Sequence, residues 1–154
     1  MLRMMLYDYR AGNDDRFAAM MKDYLSSHPG GTATTSEFRA VAERHFGRDM
    51  TWFFDQWVRG TAVPSYEWRH SVTPTPARKV LLTIELTQRD VPDGFRVPFP
   101  FRIRFPNGFN VVTLEVTGAS TVRRSFRLPV MPEEIEPNPL ASVLLDEIEA
   151  IDRP

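Results

Sequence analysis

The chain has no cysteine among its 154 residues, which excludes disulfides and thiolate metal sites and fits any compartment. No apolar run approaches the ~20 residues that a membrane-spanning helix needs. The opening "MLRMMLYDYR" has neither the long apolar core nor the small-residue cleavage site of a secretion signal. A net charge of −1 gives no global attraction to nucleic acid or anionic membrane, so neither is expected as a partner. Catalytic motifs are scarce as well. The three histidines, His28, His45 and His70, include no pair four residues apart, so the HExxH arrangement of two imidazoles on one helical face is missing. Neither a GxSxG nucleophile turn nor a phosphate-cradling glycine loop occurs. Carboxylates at Asp14 and Asp15, and at Glu133, Glu134 and Glu136, lie beside turns and read as solvated, structural charges. Internal repeats and low-complexity segments are also missing.

What is present is an ordinary globular composition, 42% apolar and 25% charged, whose patterning changes near Pro64. Before it, apolar residues recur at helical spacing: Leu2, Met5, Leu6 and Tyr9, then Phe17, Met20, Met21, Tyr24 and Leu25. Gly12-Asn13-Asp14 separates the two, with Asn13 or Asp14 available as a cap. "HPGG" stops the second helix at His28. Thr34 and Glu37 read as a capping box for a third helix that buries Phe38, Val41, Ala42 and Phe46 and closes at Gly47. A short fourth helix runs from about Met50 to Val58 and ends at Gly60. After Pro64 the period becomes two. "SYEWRHSV", "KVLLTIELTQ", "FRVPFPFRIRF", the stretch around Val112 to Val116, "TVRRSFRL" and "SVLLDEI" read as strands. "TPTPAR" is a loop, and "PNGF" at 106–109 is a hairpin turn. Pro98 and Pro100 cannot donate to a ladder, so part of their strand belongs at an edge or bulge. The expected fold is α+β: a helical segment over 1–63, then an antiparallel β-sandwich over 64–154.

Two groupings carry the functional reading. Six arginines (96, 102, 104, 123, 124, 127) face a single acid, Glu115, between Arg96 and Leu128. Because arginines and aromatics alternate on "FRVPFPFRIRF", they occupy opposite faces, whereas a nucleic-acid stacking platform needs both on one face. Residues 131–154 carry seven acids against Arg153, so an acidic last strand pairing with the basic sheet is expected. The second grouping is "GRDMTWFFDQWVRGTAVPSYEW", Gly47 to Trp68, with three tryptophans, two phenylalanines and a tyrosine in 22 residues. Positions 50, 53, 54, 57 and 58 form one helical stripe, which favours core over a ligand box. Trp52, Phe53, Phe54, Trp57, Tyr66 and Trp68 are therefore expected to form a structural joint between helices and sheet.

The run from "LRMML" through "GGTATTSEFRAVAERHFGRDMTWFFDQWVRGTAVPSYEW" resembles the end of the catalytic domain in zinc aminopeptidases of the membrane-alanyl-aminopeptidase (gluzincin) family. There a T-T-x-x-F start leads to G-[RK]-D-[LM]-x-x-F-F-x-x-W, then G-x-P and a β-sandwich. Thr34, Thr35, Phe38, Gly47, Arg48, Asp49, Met50, Phe53, Phe54, Trp57, Gly60 and Pro64 match. "PFPFRIRF" and "LPVMPEEIEPNP" are similar to that sandwich, although Asn138 stands where the family has aspartate before proline. The family's HExxH helix, glutamate zinc ligand, amine-recognition loop and catalytic tyrosine match no position here. The resemblance therefore implies a non-catalytic C-terminal part that braces a catalytic domain, without catalytic, cofactor or metal residues. Zinc and the hydrolysis of N-terminal residues would belong to the parent. The partner implied is the remainder of that catalytic domain, and the opening residues read as the end of a helix begun upstream. Its bared stripe, Leu2, Met5, Leu6 and Tyr9, leaves two outcomes open, self-association through the helices or fraying. Alternatives are the tail of a glycyl-aminopeptidase-like enzyme, which has a similar "FFDxYVxGT" stretch, and a free-standing β-sandwich binding or adaptor module.

Overall fold

The computed structural model describes residues 1–76 and 79–151. It is α+β, with the helices first and the strands after them, and divides into two compact units, Met1–Thr61 and Ala62–Pro154.

The first unit contains α1 (Leu2–Leu6), α2 (Asp15–Ser27), α3 (Thr35–Phe46) and α4 (Thr51–Phe54). α1 stops at Leu6, short of the expected Tyr9. Asp8 organises a turn there: its Oδ1 accepts the backbone N–H groups of Arg10 and Ala11, both at 2.9 Å. Such local side-chain bonds compete with helix continuation. Asp14 stands at the N-cap of α2, but it is Asn13 Oδ1 that accepts from the Asp15 N–H, at 3.4 Å. α3 begins with the anticipated capping box. Thr34 Oγ1 accepts from the Glu37 N–H, and Glu37 Oε2 accepts from the Thr34 N–H at 2.7 Å. Leu6, Met20, Val41, Ala42, Met50, Phe53 and Phe54 are buried together, flanked by Phe17, Met21, Tyr24, Phe38 and Phe46. Leu25, expected on the buried stripe, is 65% exposed, because the stripe of α2 ends one residue earlier at Tyr24.

The second unit is a two-sheet sandwich of seven strands: β1 (Ser65–Pro74), β2 (Val80–Arg89), β3 (Arg96–Phe105), β4 (Gly108–Thr117), β5 (Thr121–Leu128), β6 (Glu134–Pro137) and β7 (Ile148–Ala150). One sheet has the order β5-β2-β1-β7 and the other β4-β3-β6. As in an immunoglobulin-type sandwich, the second strand lies between the first and fifth, and the third beside the sixth. The fourth and last strands have exchanged sheets relative to that plan. Alternation decides the core. Leu82, Ile84 and Leu86 of β2 face Val97, Phe99, Phe101 and Ile103 of β3, all of them fully buried. Carbonyls of Pro100 and Arg104 accept from Asn138 and Glu133, so even positions of β3 direct their backbone toward β6. β6 pairs only with Phe101–Arg104, leaving Pro98 beyond its end and Pro100 at its margin, where a missing N–H removes no bond to β4.

Three strand expectations need correction. "SVLLDEI" is not a strand over 142–147; only Ile148–Ala150 pairs, and it runs parallel to β1 rather than antiparallel. Asn138 causes the difference. With φ +50, its side chain accepts from the Val143 N–H at 2.8 Å and donates to the Val143 carbonyl at 3.0 Å, holding 138–143 as a closed loop. The acidic strand beside the basic sheet is instead β6, the four residues "EIEP". Of the loop expected at "TPTPAR", Thr73 and Pro74 belong to β1, while Ala77 and Arg78 lie outside the described residues.

A buried polar knot ties the sandwich together. Gln88, without solvent exposure, accepts from the Tyr66 hydroxyl at 2.8 Å and donates to the carbonyls of Phe95 at 3.2 Å and Gly118 at 2.9 Å. Gly118 takes φ +63, and its N–H returns to the Phe95 carbonyl at 2.8 Å. Burial pushes the Tyr66 hydroxyl above the usual tyrosine range. Gln88→Leu should cost about 2–4 kcal/mol, since it removes the partner of the Tyr66 hydroxyl and of the Gly118 carbonyl and one of two donors to the Phe95 carbonyl, and Tyr66→Phe about 1–2 kcal/mol. In the double variant the costs should fall short of their sum, which chemical denaturation of the four proteins measures.

A further expectation concerns acid. Hydrogen bonds from the Thr34 N–H and hydroxyl hold the Glu37 carboxyl below its usual range. A lowered value in the folded state means stability that is present above the unfolded value and lost as pH falls through the folded one. Glu37→Gln, which retains an acceptor for the cap, should therefore flatten the loss of helical circular dichroism below about pH 4. Identical acid profiles for the two proteins would contradict this.

Candidate functional site

The segment between Gly47 and Trp68 is built by successive local constraints. Gly47 takes the left-handed conformation, φ +66, and its N–H closes α3 on the Glu43 carbonyl at 2.8 Å. Glu43 Oε1 then accepts from the Met50 N–H at 3.2 Å, and Asp49 Oδ1 accepts from the Thr51 hydroxyl at 2.7 Å, setting the start of α4. After Phe54 the helix widens into a π-type turn, Asp55–Arg59. That widening rotates later side chains off the expected stripe. Met50, Phe53 and Phe54 are buried and Trp57 is half-buried, but Val58 is 53% exposed. Gly60 ends the turn against the backbone, since a Cβ there would lie 2.5 Å from the Gln56 carbonyl oxygen.

The six aromatic residues divide between the units. Phe53 and Phe54 belong to the helical core, with Trp52 and Trp57 packed against it. Their rings are linked edge-to-face: Trp52 to Phe53 at 5.7 Å, Phe53 to Phe54 at 5.8 Å and Phe54 to Phe38 at 6.0 Å. Tyr66 and Trp68 lie on β1 inside the sandwich, 4.6 Å from the Phe99 ring and 5.5 Å from the Phe101 ring respectively. Each half of the cluster thus has a packing role in its own unit.

Titratable groups form small ties. Arg44 and His45 of α3 meet Asp23 of α2 at 3.0 and 3.1 Å, and these hydrogen bonds hold the Asp23 carboxyl below the usual range. This joins two helices at a half-exposed position. His28 lies 2.9 Å from the Tyr24 carbonyl, and His70 stacks on Trp68 at 5.4 Å. Among the described residues, no three His, Asp or Glu side chains are placed to hold a metal ion. Asp14 pairs with Arg3 at 2.6 Å.

On the sandwich, arginines and glutamates pair across neighbouring strands. Arg102 meets Glu136 and Arg104 meets Glu134 between β3 and β6; Arg96 meets Glu115 at 2.7 Å between β3 and β4. Between β1 and β2, Arg69 meets Glu85 at 2.5 Å and Arg89 meets Glu67 at 2.6 Å. Three of the six arginines singled out in the sequence are therefore neutralised. The other three, Arg123, Arg124 and Arg127, lie on β5 and make no ion pair among the described residues. Arg123 borders an open depression of about 280 Å³ with Arg69, His70, Ser71, Thr83 and Glu85. Sequence alone did not separate β5 from the rest, because an edge position follows from strand order and not from residue pattern.

No family model matches the chain, and no curated protein matches it.

The packing ranks the aromatic positions. Phe54→Ala should cost ~3–5 kcal/mol, and the half-buried Trp57→Ala less than that. Gly60→Ala should destabilise the helical unit by ~1–3 kcal/mol through the forced contact at Gln56. Denaturation followed by helical circular dichroism orders the three, and a Trp57→Ala cost above that of Phe54→Ala would contradict the ranking.

Proposed function

We propose that the chain is a non-catalytic C-terminal part of a zinc metallo-aminopeptidase-like protein, where helices and sandwich brace a catalytic domain. The observation that supports this reading is the local geometry at the residues carrying the resemblance. Thr34 caps a helix, Gly47 needs a left-handed turn, Phe53 and Phe54 fill a core, and Gly60 admits no Cβ. A sandwich follows directly, as the resemblance implies. Among the described residues no three His, Asp or Glu side chains are placed to hold a metal ion, and none of them is assigned to zinc. Metal and hydrolytic chemistry would then belong to the parent's other part, which would remove N-terminal residues from peptides.

Antibodies raised against this chain provide the test. Protein captured from the source cells should carry these residues within a longer polypeptide whose peptides include an HExxH helix, and should cleave aminoacyl-arylamides in a chelator-sensitive manner. The 154-residue chain itself should retain less than one zinc per molecule after dialysis and cleave none of these substrates. Capture of a 17.8 kDa species alone, or stoichiometric zinc in the isolated chain, would overturn the proposal.

A further inference from the structure

Five arginines of the sandwich form an ion pair with a glutamate on the next strand, while Arg123, Arg124 and Arg127 form none among the described residues. Glu85, which stands opposite Arg123 on β2, pairs with Arg69 instead. All three are exposed and lie on β5, an edge strand whose one sheet neighbour among the described residues is β2. The segment Thr121–Leu128 contains no acid. Its backbone is equally unsatisfied on one side. The Gln88 N–H donates to the Ser120 carbonyl at 2.9 Å, one step beyond the Thr87–Thr121 pair. In an antiparallel ladder, bonded and non-bonded pairs alternate. Val122, Arg124 and Phe126 therefore direct N–H and C=O toward β2, and Thr121, Arg123, Ser125 and Arg127 direct theirs outward. Arg123, Ser125 and Arg127 also share one face of the sheet, where Ser125 meets the Thr83 hydroxyl at 2.9 Å.

We propose that the free edge of β5 docks an extended acidic peptide by strand addition. The other sheet of the sandwich already displays the chemistry: its edge strand β6 lies along β3 with Glu134 and Glu136 on Arg104 and Arg102. A strand added to β5 would complete the ladder at four outward positions. Carboxylates four residues apart on one face would stand opposite Arg123 and Arg127, with a small hydroxyl residue between them opposite Ser125. Exposed arginines on an edge also repel a second basic edge, so two copies of β5 would not pair with each other. The occupant is an acidic segment of a separate protein, and the inference does not rest on the aminopeptidase reading.

The probe is a fluorescein-labelled nonapeptide of threonine and valine with two glutamates four residues apart on the threonine face. Its control replaces both glutamates by glutamine. Anisotropy titration of the full chain to ~1 mM peptide should give saturable binding that weakens with salt. The glutamine peptide should bind about fivefold weaker, the sum expected from two cross-strand charge pairs. Amide exchange should show new protection at Thr121, Arg123, Ser125 and Arg127 and no change along β1. Arg123→Gln with Arg127→Gln should equalise the two peptides without lowering the unfolding midpoint, and Arg123→Glu with Arg127→Glu should abolish binding of the acidic one. Equal affinity for both peptides, protection elsewhere, no binding, or binding only to single-stranded DNA or anionic vesicles would each overturn the proposal.

Discussion

The sandwich depends on satisfying one buried amide. Gln88 has two donors and an acceptor oxygen at a position without solvent exposure, so protein groups must meet them. Its partners come from β1 (Tyr66), the entry to β3 (Phe95) and the exit of β4 (Gly118). Where the chain leaves one sheet for the other is thereby tied to the register of the first. Because Phe95 is held there, the odd positions of β3 fall inward beneath Tyr66 and Trp68, and Arg96, Arg102 and Arg104 fall outward. A slip of one residue would exchange these faces and bury three arginines.

That placement sets the electrostatics of the surface. Arginines forced outward lie beside neighbouring strands, and wherever a neighbour exists it supplies a glutamate: Glu115 from β4, Glu134 and Glu136 from β6. Each exposed pair contributes little stability alone, on the order of a few tenths of a kcal/mol. Its larger effect is on register, since like charges opposite one another are disfavoured. β5 obeys the same alternation, but Glu85, opposite Arg123 on its neighbour β2, is paired with Arg69, so the arginines of β5 make no ion pair among the described residues.

Features encoded over two to four residues were legible in the sequence. The capping box at Thr34 and Glu37, the closing Gly47 and the alternation of β2 and β3 each state their geometry locally, and the α+β class follows from their order. What escaped reading depends on distant partners or on very short elements. β6 and β7 have four and three residues, too few to establish a period. The loop between them is set by two hydrogen bonds between Asn138 and Val143, one donated and one accepted by the Asn138 side chain, which periodicity does not report. The π-type turn shifted Val58 off a stripe drawn at ideal helical spacing. Gln88 did leave a signal: a polar side chain at the inward phase of an otherwise apolar strand calls for a buried partner, and Tyr66 holds the matching phase on β1. For the candidate site, the residue types in Gly47–Trp68 pointed to packing. Their division between two cores needed the position of the unit boundary after Thr61.

The matching residues also constrain what kind of functional argument they can support. Gly47 and Gly60 are demanded by backbone geometry, Thr34 by unsatisfied helix donors, and Phe53 and Phe54 by a core. Any protein that ends a helical layer with this tight turn and passes into a strand faces the same demands, whatever chemistry it performs elsewhere. Fold and packing motifs therefore identify an architectural role more directly than a reaction, because reactions reside in sites grafted on folds. The β5 edge is a different kind of feature. Neither core packing nor ladder closure within the sandwich requires three arginines without an ion pair along Thr121–Leu128, only one of which, Arg123, has a glutamate opposite it, and mutual repulsion of like charges opposes them. Beyond blunting the edge against self-pairing, such a charge pattern suits an external partner of opposite sign.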